Sequence, residues 1–362
     1  MKGENMNTTN NYVLPVPITD SREEKALDAL TDRYNKLVTP GKISAAAKEL
    51  CNRAPDWVKT AMGECGESLE EVKNLELIKR VMRAAASGFA KLEELAAEMS
   101  VNETSILQTA GKTDPANSYE AIPELCLARS YNLAENVRRF RVRNLILAFG
   151  EGAATGAPGI AGMPFNIALS MFLYFRAVQS VAMMYGYDVK NDSAELSLAG
   201  DVFTKALSPA DEGGSETAGY IMRLMAMGEA TAVKSLAGKT WTDMAAHGGA
   251  ALLLTQIRAL SNLAAKKALQ KAGKKGLEKT VFTTALEQIG KKLTLKAIRS
   301  GVPVVSAVIG GLLDTEQMSR VIEFADIFYQ KRFIMEKGIR INDLIAGSDD
   351  IVEEYRREGD GA

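Results

Sequence analysis

The sequence predicts an all-α protein, a multi-helix globular bundle with glycine- and proline-rich apolar hairpins and no substantial sheet. Apolar residues recur at helical spacing in one segment after another, and no run of β-branched residues alternates with polar ones between turn residues. Size and composition agree: 362 residues, 46% hydrophobic and 25% charged, suffice for a large buried core in one or two domains.

Residues 1–20 are polar, carry Pro15 and Pro17, and lack the apolar run of a secretory signal, so a disordered N-terminal arm is expected. Thr19, Asp20 and Ser21 offer caps for a helix over 21–38, with Ala26, Leu27, Leu30, Tyr34 and Leu37 on one face. A second helix over 68–97 repeats the pattern through Val72, Leu75, Ile78, Val81, Met82 and Ala85. Together they fill an N-terminal helical region, 21–110. The polar, turn-rich stretch 100–117 reads as a soft boundary. Beyond it, a helical domain over 119–340 is expected, with helices at 119–147, 165–185, 194–207, 218–236, 249–269, 277–298 and 315–335. The stretches 211–215 (DEGGS) and 271–276 (KAGKKG) read as loops, and 341–362 as a polar acidic tail.

Charge and cysteine content bound the setting. A net charge of −1 gives no global field toward nucleic acid or membrane, so any such attraction must be local. Cys51, Cys65 and Cys126 are odd in number, widely spaced and form no C-x-x-C pair, which suits a reducing cytosol.

Catalytic motifs are weak. His247 precedes Gly248 and Gly249, as in some esterase oxyanion segments, but the chain has no second histidine and no G-x-S-x-G elbow. Gly111-Lys112-Thr113 and Gly238-Lys239-Thr240 lack the earlier glycine of a phosphate loop, Ile106 and Val233 standing in its place. One histidine and three scattered cysteines assemble no zinc site from local spacing, and neither metal nor cofactor is expected. Glu151, an acid in an apolar glycine-rich turn, is the candidate functional carboxylate; pairing with Arg138, Arg139 or Arg176 is its structural explanation.

From Gly152 to Phe175 no charged residue occurs in 24 positions, the length of a membrane span. Gly152, Gly156, Pro158, Gly159, Gly162 and Pro164 make one continuous helix there untenable. A tight turn between closely packed helices fits better, with Pro164 and Phe165 opening the second helix. A shorter charge-free run, Gly301–Leu313, contains Pro303, Gly310 and Gly311. Between Arg258 and Arg299 lie eleven basic residues, among them Lys266, Lys267, Lys271, Lys274, Lys275, Lys291, Lys292 and Arg299, opposed only by Glu278 and Glu287. Phe282, Leu286, Ile289, Leu293 and Ala297 form an apolar stripe within that stretch. Such a helix either packs on the core with a solvated basic back or lies on an anionic membrane surface. Nucleic acid is not expected, because Phe282 alone offers stacking.

Two blocks carry a family resemblance. Gly150-Glu151-Gly152-Ala-Ala-Thr-Gly156-Ala-Pro158-Gly159 precedes an apolar helix and Tyr185-Gly186-Tyr187-Asp188; Gly301-Val-Pro303 through Gly310-Gly311 leads to a charged helix with Tyr329-Gln330-Lys331-Arg332. From about 119 to 335 the chain resembles the EcsC family. The resemblance implies a bacterial protein associated with ABC-type transport and assigns no reaction. The expected function is therefore a non-enzymatic, membrane-peripheral accessory to transport or envelope function, at the cytoplasmic face. Its expected partner is an anionic lipid surface or a membrane transporter complex. The alternatives are a carboxylate-based hydrolase and a membrane-inserting effector that uses the apolar Gly/Pro hairpins.

Overall fold

A computed structural model of the chain describes residues 12–39, 67–97, 102–140, 163–207, 215–228, 243, 249–300 and 315–359. No strand occurs among them, and the protein is all-α.

Helix α1 (Ser21–Val38) starts at a capping box: the Asp20 carboxylate accepts from the Arg22 and Glu23 amides, and Glu23 accepts from the Asp20 amide. The helix expected over 68–97 is divided at Gly88, which leaves helical geometry between α2 (Glu67–Ser87) and α3 (Phe89–Ala96). The stretch expected as a polar boundary instead holds α4 (Glu103–Thr113), capped by Asn102 and docked through Ile106 and Ala110. The helix expected from 119 opens as a 3₁₀ turn (Ile122–Leu127), because Pro123 has no N–H to continue a helical ladder; α5 follows over 130–140. Of the tight turn expected between α5 and the next helix, only Pro164 and Phe165 are described; they lie in the first turn of α6 (Met163–Met184). Asp192 caps α7 (Ser193–Ala206) and Ser215 caps α8 (Glu216–Ala226), which ends well before the expected 236.

The two basic helices join as α9 (Gly249–Ser300), and the expected loop between them shrinks to one residue, Gly273, at φ 66° and ψ 176°. Only glycine occupies that region readily, so the helix breaks there into two arms. The last helix, α10 (Thr315–Gly359), runs past the expected end at 335 and through the segment expected to be a tail.

Two helices make the centre. α10 is in contact with α1, the 3₁₀ turn, α6, α7 and α8, while α6 packs on α2, α3, α7 and α10. By length and mean hydropathy (1.5) Pro164–Met184 has the character of a membrane span, yet 78% of its apolar window is buried in the bundle. Phe172 and Phe175 of α6 meet Phe89, Phe203 and Phe282 at ring separations of 5.0–6.4 Å, which ties α3, α6, α7 and α9 together. Glu278 meets Arg176 and Gln179, whereas Phe282, one turn later, meets Phe172 and Phe175. The second arm of α9 is therefore antiparallel to α6, and its bend at Gly273 points toward the C-terminal end of α6.

Candidate functional site

Over residues 321–341 helix α10 has no exposed polar face. Its apolar residues Phe324, Ile327, Phe328, Phe333, Ile334 and Ile339 are buried, and so are Asp326, Lys331, Arg332, Glu336 and Lys337 between them. At 100° per residue these charges point all round the helix, so packing must desolvate several of them. Each is met by a partner.

Glu23 is the first hub, with 0% exposure. Lys337 Nζ donates to both its oxygens at 2.8 and 3.0 Å, joined by the Ser130 amide at 2.8 Å and Arg129 Nη1 at 3.2 Å. Burial pulls the Lys337 ammonium below the usual lysine range, and Glu23 only partly offsets this. Arg332 is the second hub. Its guanidinium forms a fork on Glu195 at 2.6 and 2.7 Å and donates through Nε to Glu336 at 3.0 Å. Burial alone would lower its pKa, but Glu195 and Glu336 drive it well upward, and Arg332 in turn holds Glu195 below its ordinary value against burial.

The turn after α6 feeds the same helix. Tyr187 donates to Glu336 at 3.0 Å and Tyr185 to Asp326 at 2.6 Å, and burial raises both phenols far above their usual range. Arg332 and Arg340 stack on the Tyr187 ring, 4.0 and 4.4 Å from its centre. Arg340 also donates to the carbonyls of Tyr185 and Gly186, capping the end of α6. Gly186 has φ 81°, and a Cβ there would come within 2.5 Å of Arg340 Nη2. At the other end of α10, Arg33 of α1 bridges Glu323 and Asp326 at 2.7 Å each. Lys331 donates to Thr31 Oγ1 and to the carbonyls of Met225 and Met227, fastening the end of α8 to α1; burial lowers its pKa to about 8.

Chemically this cluster is a saturated fastening. Its acids accept from cations or phenols and its cations donate to acids or helix-end carbonyls, so it fixes the register of α1, α6, α7 and α8 on α10.

The candidate site residues expected from the sequence lie elsewhere. Lys266, Lys267, Lys271, Lys274, Lys275 and Lys291 are exposed on α9, while Lys292 is half-buried and acts electrostatically on Asp201. Arg299 is in the same helix. Phe165 packs beside Gly88 under Lys91, whose ammonium is 5.6 Å from its ring centre. Arg176 pairs with Glu278 and Glu93, and Arg138 and Arg139 pair with Glu135. Gly111-Lys112-Thr113 is the end of α4. Glu151, Gly152, Gly156, Pro158, Gly159, His247, Pro303, Gly310, Gly311 and the second Gly-Lys-Thr lie outside the described residues. Sequence reasoning passes over Glu23, Glu195, Glu336 and Lys337 and meets Arg332 only within the block that carries the family resemblance. Their signal is the missing polar stripe of α10.

Fold and fastening define a class: an all-α protein whose last helix is held in the core by ion pairs to its first helix and to a Tyr-Gly-Tyr turn. The chain belongs to the EcsC protein family, whose sequence pattern matches residues 20–334. That match begins at the cap of α1, so it takes in Glu23 and Arg33 as well as the segment after 119 that carries the resemblance. No curated protein and no solved structure matches the chain.

Proposed function

We propose that this protein is a non-enzymatic, membrane-peripheral accessory of ABC-type transport or envelope function, working at the cytoplasmic face. It binds anionic membrane surface, or a membrane complex, through the basic arms of α9. One observation carries the reading: Lys266, Lys267, Lys271, Lys274 and Lys275 are all exposed and cluster about the bend at Gly273. Of the two acids in this stretch, Glu278 is already engaged by Arg176 and Gln179. Each well-placed lysine contributes roughly 1 kcal/mol near an anionic surface, acting within a Debye length of about 8–10 Å. Within the fastening, Glu23, Glu195 and Glu336 each face a buried cation, and a fastened carboxylate is a poor base; Glu151, the acid of the carboxylate-hydrolase alternative, lies outside the described residues.

The test is sedimentation with vesicles. Vesicles containing acidic lipid should retain the protein at low salt and release it at high salt. Replacing Lys267, Lys271, Lys274 and Lys275 with glutamine should weaken retention while leaving the melting temperature in place. Equal binding to neutral vesicles, or release by detergent alone, would refute surface attachment.

A further inference from the structure

We propose that residues 12–18 are an apolar anchor that enters the interfacial layer of an anionic bilayer at the same end of the molecule as the basic bend. The inference rests on the surface-binding reading above and adds to it an orientation and a second contact. Among the described residues four large apolar side chains are exposed: Val13 (52%), Leu14 (41%), Val16 (88%) and Leu263 (49%). Three of them are neighbours in the strap Tyr12-Val13-Leu14-Pro15-Val16-Pro17-Ile18.

The strap is held by its backbone, which leaves those side chains outward. The Asn117 side-chain amide accepts from the Val13 N–H at 3.1 Å and donates to the Val13 carbonyl at 3.3 Å. Tyr12 donates to Glu124, and Arg129 donates to the Ile18 carbonyl. Pro15 and Pro17 stiffen the segment and remove two N–H donors that lipid could not satisfy. An apolar ridge of this kind costs little to immobilise and little to desolvate.

Position supplies the occupant. Glu124, which holds Tyr12, belongs to the 3₁₀ turn whose Ile122 and Leu125 abut Gly186, directly after α6. The second arm of α9 is antiparallel to α6, so the bend bearing Lys271, Lys274 and Lys275 lies toward that same end. Exposed cations and exposed aliphatic side chains toward one end of the molecule match the two layers of an anionic bilayer, headgroup and acyl boundary. Moving Leu14 and Val16 into that boundary is worth roughly tenfold in affinity for each side chain.

The test uses the full chain and vesicles of mixed phosphatidylserine and phosphatidylcholine. A Leu14→Ser/Val16→Ser variant should bind about a hundredfold more weakly with an unchanged melting temperature, and its remaining binding should be fully released by salt. In a Val16→Trp variant, vesicles should shift the added tryptophan emission to the blue, and lipids brominated on the acyl chain should quench it beyond the parent's background. Parent-like affinity of the serine variant, or an unmoved Val16→Trp emission on vesicles that retain the protein, would overturn the anchor while leaving lysine-dependent binding intact. Failure of the parent to bind acidic vesicles would overturn the surface reading and the anchor with it.

Discussion

Arg332 shows how much one residue holds. It is 1% exposed and pairs with two carboxylates, Glu195 and Glu336, that have left water with it. Removing one partner of such a pair is costlier than removing both, because a bare charge stays buried. Arg332→Met should therefore cost about 3–5 kcal/mol in chemical denaturation. Adding Glu195→Gln should recover part of that loss; a double variant whose loss is the sum of the two single losses would show that the residues are not coupled. Asp201 makes a second residue-scale prediction. Burial pushes its carboxyl up to about 6 against hydrogen bonds from Ser215 and Thr217. Its folded pKa lies above the unfolded value of 3.8, so the stability it lends is present below about pH 4 and lost as pH rises through about 6. Asp201→Asn, which stays neutral, should raise Tm more at pH 7.5 than at pH 4.5, and an equal effect at both would contradict the shift. Asp201 is not legible in the sequence, since nothing local tells a buried carboxylate from a solvated one, and the trace of Arg332 is only the missing polar stripe of α10. The exposed lysines of α9 are legible, because a dense basic run has nowhere to go but outward.

Among the elements, periodicity finds the helices and misses the places where one residue decides. α6, α7 and the two arms of α9 keep closely to the apolar spacing. α4 escapes because Ile106, Leu107 and Ala110 are too few to stand out in a polar stretch, although Asn102 is in place to cap it. The bend in α9 reads as a six-residue loop in the sequence because two glycines and three lysines look like one. In the folded chain only Gly273 leaves the helix, and the lysines around it stay helical. Two glycine substitutions separate backbone conformation from space, since a Cβ at Gly273 or at Gly111 would meet no atom within 4 Å. Gly273→Ala should lower stability by about 1–3 kcal/mol, because its positive φ excludes a side chain. Gly111→Ala, in the ordinary helical backbone of α4, should raise stability by about 0.5–1 kcal/mol. Thermal melts of both variants check the pair, and a shift of the same sign at the two positions would defeat the explanation.

At the scale of the molecule, the chain closes on itself. Glu23 and Lys337 are 314 residues apart in sequence and 2.8 Å apart in space. The sequence suggests an N-terminal region set off from the larger helical domain, because a polar stretch lies between the two and ion pairs across such distances leave no local trace. In the folded chain α1 packs on α8 and α10 and meets Lys337 through Glu23. Its contribution can be sized. Burying Leu27, Leu30 and Tyr34 is worth roughly 1.5–3 kcal/mol each, and stranding Lys337 without Glu23 costs about 3–5 kcal/mol. The sum, roughly 8–14 kcal/mol, rivals the whole stability of an ordinary domain at about 5–15 kcal/mol. Deleting residues 1–38 should therefore abolish cooperative thermal unfolding monitored by circular dichroism. Deleting residues 1–19 spares the Asp20 cap and every ion pair of α1; of the described contacts it removes the hydrogen bonds of the strap and the packing of Tyr12 and Ile18 on the core. That variant should melt cooperatively, at a cost of about 1–3 kcal/mol. If the longer deletion melts as cooperatively as the shorter one, α1 is an appendage and the core needs no partner for Lys337. If the shorter deletion also fails to fold, the strap is part of the core rather than a ridge laid over it.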